Sequence, residues 1–315
     1  MLRLLGNTGI EIAPLVLGGN VFGWTVDERR SFELLDGFVD AGLSAIDTAD
    51  SYSRWVEGHQ GGESETVIGK WLAANPGKRG KVLIFTKVGS DLGDGKKGLS
   101  ARWITQAAED SLRRLQTEVI DLYQSHWPDP ETPLEETLSA YERLLRSGKV
   151  RAIGASNLNA AQLHHALTLA KEQDLPTYST LQPEYNLYDR AGFEGELRDL
   201  CVDAGLGVIT YFSLASGFLT GKYRSNEDLK RSQRGPGIGK YLNPRGMRIL
   251  EALDEVASER NAKPAEIALA WLMARRGVTA PIASATNREQ LASLIKALGL
   301  KLSPEDNASL DAASA

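Results

Sequence analysis

The chain has 315 residues, of which 42% are hydrophobic and 24% charged, a balance that supports a large buried core and excludes a disordered chain. A formal net charge of -5 gives no sign of the basic stripe of a phosphate-backbone binder, so no nucleic-acid partner is expected. The single cysteine, Cys201, excludes a disulfide framework and any multi-cysteine metal site. No run of about 18 apolar residues occurs and the opening segment lacks a secretory core, so a cytoplasmic protein without a membrane anchor is expected.

The first predicted element is a hairpin turning around Asn7 to Gly9. Beyond it, short apolar runs alternate with longer segments of helical periodicity, the pattern of successive βα units. The runs begin at Pro14 (PLVLG), Ser44 (SAID), Lys81 (KVLIFTK), Ile120 (IDLYQSH), Arg151 (RAIG), Ser179 (STLQ), Gly207 (GVITY) and Thr279 (TAPIA). Between the third and fourth, the segment from Ser100 places Ile104, Ala108, Ser111, Leu112 and Leu115 on one helical face, with Ser100 as its cap. The helix from Leu134 ends before Gly148, a natural left-handed stop. Two helical segments, from Arg245 and from Pro264, lie between the seventh and eighth runs, so at least one helix there exceeds eight units. The expected fold is a single (β/α)8 TIM barrel over residues 1–315, with an N-terminal hairpin, because closure removes both sheet edges. An open doubly wound sheet is disfavoured, since no early G-x-G-x-x-G turn follows the first strand. The glycine-rich stretch Gly235 to Lys240 follows no strand and reads as a mobile surface loop.

In such a barrel, active residues sit at the carboxyl ends of the strands. Asp47, Lys87, His126 and Tyr211 close the second, third, fourth and seventh runs, Ser156 and Asn157 follow the fifth, and Gln182 follows the sixth. Each alone reads as an ordinary strand end. Together, an inward-facing Asp, Lys and His form a costly buried charge cluster unless their pairing serves a purpose. Tyr52 lies five residues after Asp47 on the loop leaving the same strand. A phenol beside an ammonium that a carboxylate keeps charged is a proton donor for a developing alkoxide, its pKa drawn from about 10 toward neutrality. His126 is placed to donate a hydrogen bond to the same oxygen.

Other barrel chemistries fit less well. A metal-dependent hydrolase needs several strand-end histidines, and of the four histidines only His126 is so placed, so no metal site is expected. A glycosidase has only Asp47 with Glu184 as a carboxylate pair, and an imine-forming role for Lys87 is opposed by the carboxylate beside it.

The segments Gly42 to Tyr52, Thr86-Lys87, Ser125-His126 and Gly154 to Asn157 resemble the signature segments of the aldo-keto reductase superfamily, in order and along the whole chain. Gly61 to Thr66 and Tyr211 to Tyr223 resemble its bacterial branch and the relatives of potassium-channel β-subunit type. The resemblance implies an NADP(H)-dependent oxidoreductase acting on a small-molecule carbonyl or alcohol, with Tyr52 as general acid, Lys87 and Asp47 tuning it, and His126 orienting the carbonyl. It also implies that Ser156, Asn157 and Gln182 bind the nicotinamide carboxamide and that Tyr211 stacks on its ring. Gly19, Asn20, Phe212 and Leu214 are further cofactor contacts on the same basis. Gly217, Leu219, Gly221 and Lys222 would cover the pyrophosphate, Lys222 reading equally as a plain surface lysine. Ser284, Thr286 and Gln290 would hold the adenosine 2'-phosphate.

The sequence departs from the family where Ser284 and Thr286 stand in place of a lysine or arginine, and Ser293-Leu294 in place of a Glu-Asn pair. NADH therefore stays open beside NADPH, and Arg288 either supplies the missing charge or points to solvent. Trp24, Trp55 and Trp127 fall on loops at one mouth and read either as walls of an apolar or sugar-stacking substrate pocket or as loop packing. The loop from Ser53 to Glu63 is long for a βα connection and is expected to set specificity. A different class stays in play: a nicotinamide-binding regulatory subunit with little turnover.

Overall fold

The computed structural model describes residues 2–315. A two-stranded antiparallel hairpin, β1 (Arg3–Leu4) and β2 (Glu11–Ile12), opens the chain. Eight parallel strands then close into a barrel: β3 (Val16–Gly18), β4 (Ala45–Asp47), β5 (Leu83–Val88), β6 (Leu122–Ser125), β7 (Ile153–Ser156), β8 (Thr180–Gln182), β9 (Gly207–Thr210) and β10 (Ala280–Ala283), with β10 returning to β3. The expected TIM barrel with its hairpin is therefore the fold.

The helices around it are α1 (Glu28–Asp40), α2 (Glu63–Ala74), α3 (Ala101–Leu115), α4 (Leu134–Arg146), α5 (Ala160–Glu172) and α6 (Glu196–Asp203), then α7 (Pro244–Glu259) and α8 (Pro264–Met273) between β9 and β10. The sequence foresaw that extra helix. It did not single out α10 (Pro304–Ser314), which follows α9 (Arg288–Ala297) and packs on α7 and α8, with Trp271 Nε1 donating to Asp311 at 3.0 Å. The Ser100 cap of α3 forms, its Oγ accepting from Trp103 N at 3.3 Å. Among the described residues, no helix is long and apolar enough to cross a membrane.

A strand's side chains alternate between faces, and here the alternation separates two cores. Ile84 and Val88 of β5 join the large layer between barrel and helices, whereas Phe85 joins Val16, Ala45, Leu122 and Ile209 inside the barrel. Leu5, Ile10 and Ile12 of the hairpin belong to that inner cluster, so the hairpin closes the amino-terminal end of the barrel. Gly6 makes the closure possible: it holds φ +57, and a Cβ there would stand 2.2 Å from the Ser179 carbonyl. The other end of the barrel is left for polar residues.

One prediction concerns packing alone. In α2, a Cβ on Gly69 would lie 2.0 Å from the backbone oxygen of Arg114 at the end of α3. Gly69→Ala should therefore force the two helices apart and cost about 1–3 kcal/mol. The loss should appear as a lower urea midpoint with an unchanged slope.

The stretch Gly235 to Lys240 is not the surface loop expected. Residues Gly235–Tyr241 form a 3₁₀ segment with Ile238 and Tyr241 buried, and the Tyr241 ring stacks on Phe218 at 5.2 Å. Two apolar side chains within a glycine-rich run give it something to bury, which outweighs the conformational freedom of the glycines.

Candidate active site

Because Phe85 faces the barrel interior, Lys87 two residues on does so too, one layer nearer the carboxyl end. The same step in neighbouring strands brings Asp47 above Ala45 and Gln124 above Leu122, with Lys87 in register with Gln124 and Ser156 with Gln182. The ring read from strand ends thus exists as a layer of polar side chains, with Gln124, two residues before His126, as a member the sequence reading passed over.

Lys87 is fully buried and its Nζ has three partners: Asp47 Oδ2 at 2.7 Å, the Thr48 carbonyl at 2.8 Å and Tyr52 OH at 2.8 Å. Tyr52 OH in turn donates to Asp47 Oδ2 at 3.1 Å. Asp47 Oδ1 is held from the other side by Gln182 Nε2 at 2.9 Å, and Gln182 also reaches Gln124 at 3.3 Å. Three of the four predicted catalytic residues therefore meet at one point. Burial pushes the Lys87 ammonium down from its ordinary value, against the Asp47 carboxylate, which holds it up.

The expectation that Lys87 draws the Tyr52 pKa down is not the net result. Burial and the Asp47 carboxylate hold the phenol well above its ordinary value. The reason is geometric: the hydroxyl donates to the same oxygen that pairs with Lys87, so a phenolate would face that carboxylate directly. Tyr52 is consequently kept protonated, with Lys87 Nζ 2.8 Å from its oxygen.

His126 stands across the mouth, its ring 6.1 Å from that of Tyr52 and parallel to Trp127 at 5.9 Å. It is partly open to the cavity yet crowded by protein, and burial followed by the Lys87 ammonium pushes its pKa well below 6.5. A neutral imidazole results. Tyr52 is placed by its neighbour: Ser53 adopts φ +72 and its Oγ donates to the Phe22 carbonyl at 2.9 Å, tying the loop to the one after β3.

These groups border a cavity of about 1060 Å³. Asp47, Tyr52 and His126 line it together with Asn20, Ser156, Asn157, Gln182, Tyr211, Phe212, Leu214, Gly217, Lys222, Ser284, Thr286, Gln290, Trp55 and Trp127. Five expected residues do not reach it. Lys87, Gly19 and Leu219 are buried outside the lining, and Gly221 faces Arg224 and Pro264. Trp24 stands behind Trp55, edge-on at 5.3 Å, so it packs the wall instead of forming it.

Several expected cofactor contacts are engaged with protein. Asn157, with φ +62, donates to the His126 carbonyl at 2.8 Å and accepts from Tyr211 OH at 2.7 Å. Thr286 donates through N and Oγ1 to Gln290 Oε1 at 2.8 and 3.0 Å, and Ser284 Oγ donates to Asn20 at 2.6 Å. Arg288 is 73% exposed and pairs with Glu33 at 3.5 Å, outside the cavity lining. The cation at that end is Lys263, paired with Glu289 at 2.7 Å. Arg234 was also missed: its guanidinium lies 5.3 Å from the Trp24 ring, lines the cavity, and leaves Nη2 buried without a partner. No local pattern marks either residue: Arg234 enters the lining from just before the Gly235–Tyr241 segment and Lys263 from just before α8.

A family model for the aldo/keto reductase family matches residues 14–315. The chain belongs to that family. It is 38% identical over 308 residues to the "Uncharacterized oxidoreductase YrpG" of Bacillus subtilis (strain 168), covering 96% of this chain and 92% of the relative. The "Aldo-keto reductase YhdN" of the same organism is 33% identical, with 96% and 90% covered. The "Probable voltage-gated potassium channel subunit beta" of Oryza sativa subsp. japonica is 32% identical, with 96% and 92% covered. As an aldo/keto reductase the chain is of an oxidoreductase family, in keeping with a buried Asp-Lys pair holding a tyrosine hydroxyl at the carboxyl end of the barrel.

Proposed function

We propose that this aldo/keto reductase reduces an aldehyde or ketone to the alcohol, with NADPH as hydride source and the whole of residues 1–315 acting as one cytoplasmic domain. The carrying observation is the Tyr52 hydroxyl, set between Lys87 Nζ and Asp47 Oδ2 at the floor of a cavity that His126 also borders. A bound reduced nicotinamide supplies the hydride. Tyr52 gives its proton to the developing alkoxide, Lys87 stabilises the phenolate left behind, and Asp47 keeps Lys87 charged and aimed. His126, being neutral, serves as a hydrogen-bond donor to the carbonyl oxygen.

The lining fits an extended anionic cofactor. Lys222 and Arg234 line the cavity and neither is ion-paired among the described residues, while Arg234 Nη2 is buried and unsatisfied, a cost that an anion removes. Lys263, near Ser284 and Gln290 in the lining, is the group that would favour a 2'-phosphate once it leaves Glu289. Two variants separate these roles. Arg234→Met should weaken NADPH and NADH alike, whereas Lys263→Met should weaken NADPH roughly tenfold and leave NADH unchanged. Fluorescence titration with each cofactor reads the difference, and equal effects of Lys263→Met on both would remove it from the phosphate site.

The deciding assay follows loss of reduced-nicotinamide absorbance with NADPH and NADH separately, against aromatic and aliphatic aldehydes, ketones and keto-sugars. Consumption of reduced cofactor that requires both protein and carbonyl supports the reductase. Tight cofactor binding with no turnover on any class favours a nicotinamide-binding, redox-sensing regulatory subunit; the rice relative is named as a channel subunit. Absence of cofactor binding would overturn both.

A further inference from the structure

A neutral imidazole donates a hydrogen bond to a carbonyl oxygen only from the nitrogen that carries the hydrogen, and what the other nitrogen meets decides which one that is. His126 Nδ1 meets two hydroxyls, Ser90 Oγ at 3.0 Å and Ser51 Oγ at 3.5 Å. Neither hydroxyl has another side-chain or backbone partner among the described residues, and Nε2 has none while its residue lines the cavity. With the hydrogen on Nδ1, that one donor serves at most one serine oxygen and both serine hydrogens lack an acceptor in the protein. With the hydrogen on Nε2, the Nδ1 lone pair accepts from Ser90, and Ser51 stands by as the weaker second donor.

We propose that Ser90, backed by Ser51, is a positioning residue that fixes His126 in the Nε2–H tautomer and so gives the reaction its second hydrogen-bond donor. The inference rests on the reductase reading given above for the role of that donor, but the tautomer itself does not depend on turnover. The two serines belong to the stretches that carry the rest of the machinery: Ser51 directly precedes Tyr52, and Ser90 lies three residues after Lys87. The backbone adds to the same frame, with His126 N donating to the Val88 carbonyl at 2.8 Å and its own carbonyl held by Asn157. The ring's orientation is thus tied to the loops that place the acid and its ammonium. The low basicity of the imidazole beside Lys87 is what leaves a single hydrogen to be placed.

The test is ¹⁵N nuclear magnetic resonance of the full-length protein, in which protonated and bare nitrogens of a neutral imidazole resonate far apart. His126 is identified among the four histidines by the signal lost in His126→Gln. The expected result is a protonated Nε2 in the wild type, a part-shift of the hydrogen to Nδ1 in Ser90→Ala, and a larger one in the double variant Ser51→Ala/Ser90→Ala. Alongside, kcat/KM for a good carbonyl substrate should fall roughly tenfold in Ser90→Ala while cofactor affinity and Tm hold, and Ser90→Thr, which keeps the hydroxyl, should restore both readouts. A protonated Nδ1 in the wild type, or ring signals unmoved in the double variant, overturns the proposal. Ring signals that respond to Ser90 in a protein that reduces no carbonyl would uphold the tautomer assignment and remove the reductase reading instead.

Discussion

Replacing Tyr52 with phenylalanine is expected to lower turnover by about 10²–10⁴-fold, the usual worth of a positioned general acid, while leaving cofactor affinity nearly unchanged. The substitution removes one hydroxyl from a cluster that survives without it. Lys87 Nζ keeps Asp47 at 2.7 Å and the Thr48 carbonyl at 2.8 Å, and Asp47 keeps Gln182 at 2.9 Å, so no buried charge loses its last partner. The fold should stand, and any loss is chemical. Because burial and Asp47 hold the phenol above its ordinary value, Tyr52 stays protonated throughout the neutral range and past a pH of about 10, so the wild type should show no alkaline loss assignable to an emptied acid in that range. Full turnover in the phenylalanine variant, measured by loss of reduced-nicotinamide absorbance, would sink the proposed acid.

The second large effect is that of Lys87→Met, which should abolish turnover and also destabilise the protein. Lys87 is fully buried and Asp47 is 1% exposed. Removing the ammonium leaves a carboxylate in the barrel interior with only the neutral Gln182 and Tyr52 donors, and breaking a buried pair in this way costs about 3–5 kcal/mol. The phenolate would also lose its one cationic neighbour within hydrogen-bond reach, so turnover falls even in the molecules that fold. Urea unfolding and the absorbance assay read the two effects separately. Stability unchanged from the wild type would mean that Asp47 is not relying on Lys87 for compensation, and the account of the pair would fail.

The two variants differ in a way that checks the structure as a whole. Tyr52 sits on a loop and is held by Ser53 in a left-handed conformation, with its hydroxyl as a third member of an existing pair. Lys87 is built into β5, in register with Gln124, and organises everything around it. One should therefore act on rate alone and the other on rate and stability together.

Much of this was legible in the chain itself. A strand's period of two is fixed by backbone geometry, so Asp47, Lys87 and Gln124 share a face with Ala45, Phe85 and Leu122, and closure of the barrel makes that face the inner one. The repeated alternation of such runs with helical segments then implies closure, and the family motifs name the chemistry. Gln124 was equally within reach by the same period and was passed over because no charge drew notice to it.

What the chain did not disclose depends on where loops end and on which groups become desolvated together. Arg234 and Lys263 reach the cavity from just before the Gly235–Tyr241 segment and α8, while Arg288 lies outside the lining beside Glu33. The sign of the Tyr52 shift is likewise a tertiary matter: residue types predict an ammonium beside the phenol, but only the burial of both, and the shared Asp47 oxygen, decides which influence wins. Sequence fixes directions along a strand because covalent geometry repeats every two residues; distances between loops far apart in the chain are set by packing, which no local pattern encodes.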